Sequence, residues 1–118
     1  MRRVEVAAQA RADIRNALAE SREHFGAAAR HRYDAIIRRA QKLLQQDPKR
    51  AGVQQREDLP PNYFLFHLRH ARTRAAAPKH PRHFILFRFD DRRLYILRVL
   101  HDAMDIEQNV SADENNET

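Results

Sequence analysis

The chain has no cysteine, and only two of its 118 residues are glycine. The absence of cysteine excludes disulfide scaffolds, zinc–thiolate sites, iron–sulfur clusters and thiol nucleophiles. With Gly26 and Gly52 far apart, no glycine-rich loop can cradle a phosphate. No apolar run approaches the roughly 18 residues of a membrane span, and no signal-peptide core follows Met1. We therefore expect one cytoplasmic domain that has no membrane association.

Charge is distributed unevenly along the chain. All 22 basic residues but only ten of the 16 acidic residues lie within 1–101, so this body carries a net charge of +12. Arginine accounts for 19 of the 22 bases and suits bidentate contacts to carboxylate or phosphate, although codon bias would give the same count. The body should attract a polyanion or an acidic protein.

Hydrophobic periodicity predicts the order β-α-α-β-β-β. A short alternating segment precedes two amphipathic helices that meet at Gly26, and three strand-like segments follow at 63–68, 83–89 and 94–100. The short turn between the last two segments predicts a hairpin. The predicted fold class is α+β, with an antiparallel sheet packed on an N-terminal α-hairpin. We expect a folded domain at 1–109, a projecting loop at 69–82 and an acidic, disordered tail at 110–118.

Two arginines, Arg88 and Arg98, interrupt otherwise apolar strands. A charged side chain at such a position is unfavourable unless it is paired or hydrated. One interpretation is local pairing with a nearby acid such as Asp90 or Asp102. The interpretation we favour is a basic groove on the sheet face away from the helices, lined by Arg69, Arg72, Arg88 and Arg98.

The histidines form two pairs with three-residue spacing, His67 with His70 and His80 with His83, and His101 ends the last strand. A zinc site needs three or four converging ligands, and neither pair lies on a predicted helix. We therefore predict no metal site and no cofactor. His101 could act as a general acid or base because histidine titrates near neutral pH, but no independent catalytic centre is visible.

The stretch PRHFILFRFDDRRLYILRVLHDAMDIEQ at 81–108 resembles the C-terminal half of ParE-family toxins of bacterial type II toxin–antitoxin modules. FHLRHAR at 66–72 supports the resemblance, which extends over about residues 3–108. It implies the RelE/ParE fold and a non-enzymatic toxin that poisons DNA gyrase and blocks replication; relatives are often described as plasmid-stabilisation proteins. It also implies a ParD-like antitoxin whose acidic C-terminal segment wraps the toxin, and no small-molecule ligand.

The resemblance also suggests site residues. In ParE-like proteins the region after the last strand is implicated in target engagement. We therefore expect gyrase to contact Arg98, Leu100, His101, Met104, Asp105 and Ile106, with Leu100, Met104 and Ile106 supplying the apolar contacts. The antitoxin would bind the basic groove described above.

The main alternative is ribosome-dependent mRNA cleavage, as in RelE-like toxins of the same fold. That chemistry needs cations facing the phosphate and an acid–base pair. RelE-like members place lysines on the second strand and a tyrosine after the last one. In this chain the corresponding strand offers Leu65 and His67 where those toxins have lysines, and no tyrosine follows Tyr95. Acidic residues follow the last strand, where a phosphate would have to approach. The residues that could still catalyse cleavage are His101, Arg69, Arg88 and Arg98.

Two further interpretations stay open. A non-catalytic nucleic-acid-binding module could use the arginine-rich loop at 69–82 together with exposed aromatics such as Tyr63. Salt-sensitive binding of nucleic acid by the isolated chain would favour that module. The chain could also be a relative that binds antitoxin but has lost toxicity.

Overall fold

The computed structural model describes residues 1–73 and 81–103. The α+β class and the predicted order of the elements are confirmed, with one additional short strand. The predicted tail and residues 74–80 of the predicted loop lie outside the described residues. The elements are β1 (Arg3–Val6), α1 (Ala8–Phe25), α2 (Ala27–Gln46), β2 (Val53–Gln54), β3 (Phe64–His67), a 3-10 turn (Leu68–Ala71), β4 (His83–Phe89) and β5 (Arg93–His101).

The five strands form one sheet in the order β1-β5-β4-β3-β2. The expectation of an antiparallel sheet is corrected to a mixed sheet, because β1 runs parallel to β5, with Val4 opposite Leu94. The other neighbours are antiparallel. A parallel pair needs a long connection, and here almost the whole chain supplies it. No pattern predicted β2, since two residues are too few to show alternation.

Each face of the sheet has its own apolar core. The larger core lies under the α-hairpin, where the apolar stripes of both helices meet Phe66, Ile85, Phe87 and Leu94. A smaller core on the opposite face consists of Leu59, Leu65, Leu86 and Leu100. The alternation predicted for β4 is therefore confirmed, because Ile85 and Phe87 face the helices whereas Leu86 faces away.

A β-bulge in β5 breaks the alternation predicted for that strand. Leu86 pairs with Arg98 while Phe87 pairs with Ile96, so the intervening Leu97 opposes no residue of β4. An extra residue of this kind bends a strand and shifts the faces that follow it. As a result Val99 packs in the helix-side core with Ile96, although strict alternation would place Val99 on the face of Leu97.

Gly26 joins the two helices in a backbone conformation, φ 93° and ψ 174°, that is almost confined to glycine. A Cβ built there would meet no atom within 4 Å, so the constraint lies in the backbone and not in packing. We expect Gly26→Ala to lower the free energy of unfolding by about 1–2 kcal/mol.

Chemical denaturation measures this change. The control is Ala28→Ser, an exposed substitution in the first turn of α2, which should change stability by less than about 0.5 kcal/mol. Equal midpoints for the two variants would contradict the backbone explanation.

Candidate functional site

The adjacent ends of β3, β4 and β5 gather residues that are far apart in the sequence. His83, the first residue of β4, lies opposite His101, the last residue of β5, and their rings meet edge to face at 5.3 Å. His67 ends β3 beside them, Asp102 follows β5, and Tyr33 reaches the same place from α2. We call Tyr33, His67, His83, His101 and Asp102 the strand-end cluster.

Tyr33 and His83 form a partly buried hydrogen-bonded pair. Tyr33 Oη lies 2.5 Å from His83 Nδ1 and accepts the backbone N–H of Arg82 at 3.1 Å. Burial raises the pKa of the Tyr33 hydroxyl to about 12, whereas burial and then the nearby His101 lower the pKa of His83 to about 4. Both groups are therefore neutral at pH 7, and the Tyr33 hydroxyl donates to His83 Nδ1.

His67 and Asp102 form the second pair of the cluster. The backbone N–H of Arg69 donates to His67 Nδ1 at 3.1 Å, so His67 carries its proton on Nε2, which donates to Asp102 Oδ2 at 3.1 Å. Arg82 Nε reaches the other carboxylate oxygen at 3.3 Å. Burial opposes ionisation of Asp102, but the His67 hydrogen bond and the Arg82 charge outweigh it and hold its pKa below the usual value.

His101 is a partly exposed histidine of the cluster. Its side chain is 34% exposed, and Nδ1 accepts the backbone N–H of Ala103 at 3.1 Å. It lies 3.7 Å from Asp102 Oδ1. Of the histidines in the spacing pairs, His67 bonds to Asp102 and His83 bonds to Tyr33, each with a residue distant in the sequence, and His80 lies outside the described residues.

A cleft of about 450 Å³ opens beside the cluster, between the α-hairpin and the strand ends. We call it the hairpin cleft. Tyr33, His83 and His101 line it from the side of the sheet, and Phe25 and Arg32 line it from the hairpin. The cleft is the concave surface that exposes His101 to a partner or substrate.

Arg98, a residue predicted to anchor both partners, is bound within the fold. Its Nε and Nη2 donate to the two carboxylate oxygens of Asp13 on α1, at 2.7 Å and 3.1 Å. Asp13 also accepts the backbone N–H of Val99 at 2.9 Å. The Arg98 and Asp13 side chains are only 13% and 14% exposed. Arg98 therefore joins α1 to the edge of β5 and is not an available surface cation.

The structure does not bring the four arginines of the predicted groove together. Arg88 is exposed and stacks over the Tyr95 ring at 4.0 Å. Arg69 and Arg72 are exposed beside the 3-10 turn, at the end of the sheet where His67 pairs with Phe84. Arg88 lies four residues from Phe84 along β4, about 13 Å away. Asp13 holds Arg98 against α1, so the single groove we predicted is not formed.

Apart from Arg98, the residues predicted to contact gyrase divide into three groups. Leu100 is fully buried in the smaller core, so the structure corrects its expected role as an apolar contact. His101 is partly exposed at the hairpin cleft. Met104, Asp105 and Ile106 lie outside the described residues, and their role stays a prediction.

Sequence analysis gave no role in the site to Asp13, Tyr33 or His83. Tyr33 lies in the apolar stripe of α2, and its hydroxyl, which needs a partner when buried, was the available signal. No local pattern connects Asp13 with Arg98, because 85 residues separate them.

Among residues 1–73 and 81–103, no group of three or more candidate ligands could hold a metal ion. Within those same residues, no helix combines the length and hydropathy needed to cross a membrane.

Comparisons with known proteins identify the family. The family described as ParE toxin of type II toxin-antitoxin system, parDE, matches residues 4–106. A chain in the crystal structure of the E. coli DinJ-YafQ toxin-antitoxin complex superposes with a TM-score of 0.58 and 15% identity, covering 89% of this chain and 97% of that one. This likeness confirms the RelE/ParE-like fold. Comparison with curated sequences gave no significant match. Because the family match covers almost all of the described fold, the chain belongs to the ParE toxin family of type II toxin–antitoxin systems.

Proposed function

We propose that this toxin inhibits DNA gyrase by binding it, without chemistry of its own, and that a ParD-like antitoxin neutralises it. Membership of the ParE family supports the proposal. The observation that carries it is the pairing of the cations near the last strand. Arg98 is paired with Asp13, and Arg82 is paired with Asp102, so neither presents an uncompensated charge to a phosphate.

The electrostatics of the strand-end cluster also favour binding over cleavage of nucleic acid. Transfer at phosphorus needs cations aimed at the developing negative charge. Here Asp102 is held ionised by its partners and lies beside His101, where it repels a phosphodiester. The net charge of +12 on the body, by contrast, suits an acidic antitoxin segment, since complementary charge speeds association.

A supercoiling assay tests the proposed target. Relaxed plasmid, gyrase and ATP are incubated with increasing amounts of the toxin, and we expect a dose-dependent loss of supercoiled product with an increase in cleaved DNA. Parallel reactions contain ribosomes with bound mRNA. Normal supercoiling together with mRNA cleavage would overturn the proposal.

Ribosome-dependent mRNA cleavage is the second candidate, and the position of His101 is the observation in its favour. His101 is partly exposed and lines the hairpin cleft beside Tyr33 and His83. If His101 acted as the general acid or base, His101→Ala would slow cleavage by about 10²-fold or more. His31→Ala, an exposed change on α2, would leave cleavage unchanged. Under the gyrase proposal neither protein cleaves mRNA.

A further inference from the structure

Four basic residues meet where α2 packs against the 3-10 turn. Arg39 Nε donates to the carbonyl oxygen of Ala71 at 3.0 Å and so joins the helix to the turn. Lys42 follows Arg39 by three residues on α2. Arg72, which caps the turn, follows Arg69 by the same spacing. Residues three apart lie on one face of either kind of helix. We call Arg39, Lys42, Arg69 and Arg72 the turn-side basic surface.

The charge of this surface is uncompensated in the part of the chain that the structure describes. All four residues are exposed, and no carboxylate oxygen of the described residues lies within 4 Å of their charged nitrogens. The stretches 35–46 and 59–89, which supply the surface, contain no aspartate or glutamate. By contrast Arg38, the neighbour of Arg39, is paired with Asp34. Like charges at three-residue spacing repel each other, and a bound polyanion would relieve that repulsion.

The backbone holds the surface in place before any partner binds. The backbone N–H of Arg69 donates to His67 Nδ1 at 3.1 Å, and that of Arg72 donates to the Arg69 carbonyl at 3.4 Å. The bond to Ala71 orients the Arg39 guanidinium, which makes no other hydrogen bond to the described residues. Its remaining N–H groups are therefore available to an acceptor. Cations that are already positioned lose less conformational freedom when they bind.

The surroundings favour a nucleic-acid duplex over an acidic protein. Protein interfaces depend on a few large anchoring side chains that become buried. In the described residues the exposed large apolar side chains are Met1 and Phe25. Phe25 lies at the tip of the hairpin, and Arg39 is about 18 Å along α2 from Ala27. Met1 precedes β1, which β5 and β4 separate from β3.

Direct contacts to bases are also disfavoured at this surface. Single-stranded nucleic acid is bound largely by stacking of its bases on aromatic side chains. The phenyl ring closest to Arg69 in the sequence belongs to Phe66, which is fully buried. Phosphates, by contrast, are bound by charge and hydrogen bonds alone, and a duplex presents them densely.

We propose that the turn-side basic surface binds the phosphate backbone of a DNA duplex. The four cations contact phosphates, so the contact is independent of base sequence. This inference rests on the proposed function in taking that duplex as the DNA on which gyrase acts, and it adds a direct contact between the toxin and the DNA.

Fluorescence anisotropy with a labelled DNA duplex, two helical turns long, tests the contact on the full chain without gyrase. We expect a Kd of about 10 µM at about 150 mM salt, typical of binding through phosphates. With four phosphate contacts, the logarithm of the binding constant should fall with the logarithm of the salt concentration with a slope of about −3.6. Duplexes of different sequence should bind equally.

Matched variants locate the contact. Arg69→Gln combined with Arg72→Gln removes two of the four cations, and it should weaken binding about tenfold and bring the slope to about −2. The control combines Arg3→Gln with Arg92→Gln, which removes the same charge from two exposed arginines at the end of the sheet where β4 turns into β5. It should change the affinity by less than about twofold. Circular dichroism checks that both proteins are folded.

Equal losses for the two double variants would overturn the inference, because binding would then follow net charge alone. A slope near zero, or no binding at about 100 µM toxin, would also overturn it. Tighter binding of an RNA duplex of the same sequence would assign the surface to RNA. Displacement of the DNA by poly-glutamate at an equal concentration of charge would assign it to an acidic protein.

The supercoiling assay is independent of these measurements. A toxin that inhibits gyrase, but whose two double variants bind the duplex equally, overturns only this inference. A toxin that binds the duplex through the turn-side basic surface but spares gyrase overturns only the proposed target.

Discussion

Replacing Asp13 with alanine should lower the free energy of unfolding by about 3–5 kcal/mol. The substitution leaves the Arg98 guanidinium with 13% exposure and without its bidentate partner. It also removes the acceptor for the backbone N–H of Val99, at the edge of β5 that β1 does not cover. Two buried donors then lose their acceptor at once, which accounts for the large effect. Urea denaturation followed by circular dichroism measures it.

A surface ion pair in the same helical hairpin provides the control. Arg38 and Asp34 form an i,i+4 pair with side chains 78% and 30% exposed, so Asp34→Ala should destabilise by about 0.5 kcal/mol or less. The double variant Asp13→Ala with Arg98→Met should recover part of the loss, because it also removes the guanidinium that has lost its carboxylate. Equal losses for Asp13→Ala and Asp34→Ala would contradict a structural role for the buried pair.

Acidification should destabilise the protein by about 2 kcal/mol between pH 7 and pH 5, through His83 alone. Its pKa is about 4 in the folded chain, below the ordinary value of 6.5, because of burial and the neighbouring His101. Between these two values the unfolded chain binds a proton at His83 that the folded chain excludes. Stability therefore falls as the pH falls through this window, and the loss is complete below about pH 4.

Comparison with a variant isolates this contribution from those of the other histidines. The free energy of unfolding of His83→Gln should change by about 2 kcal/mol less over the same pH range than that of the unmodified chain. His31→Gln, an exposed change on α2, should leave the pH dependence unaltered. Asp102 contributes at lower pH, since its pKa is already below the usual carboxylate value. The same pH dependence of stability for His83→Gln and the unmodified chain would contradict the conclusion that His83 stays neutral in the folded protein.

Local patterns in the sequence were sufficient for most of the fold. The helices end where Gly26 and Asp47 interrupt the apolar stripes, and the predicted span of β4 agrees with His83–Phe89. The parallel pairing of β1 with β5 was missed because no local pattern records which distant strands become neighbours. The bulge at Leu97 was missed for a related reason, since alternation assumes that every residue has a partner.

The error at Arg98 has a tertiary origin. Arg98 meets Asp13, a residue that only the packing of α1 on β5 brings near, so it does not join Arg88 in a groove. The strand-end cluster likewise depends on register, because His83 opposes His101 only when β4 and β5 pair as observed. Residue chemistry was visible in the sequence, but its spatial grouping required the sheet.

The central place of β5 has a consequence for translation. Arg3 pairs with Arg93, so the first strand of the nascent chain finds its partner only after a further 90 residues have been added. At about 5–20 residues per second, this delay is roughly 5–20 s. A polypeptide that terminates before β5 cannot close the sheet, and it lacks the aspartate and histidine that complete the strand ends. Premature stop codons almost anywhere in the reading frame should therefore yield products without toxicity.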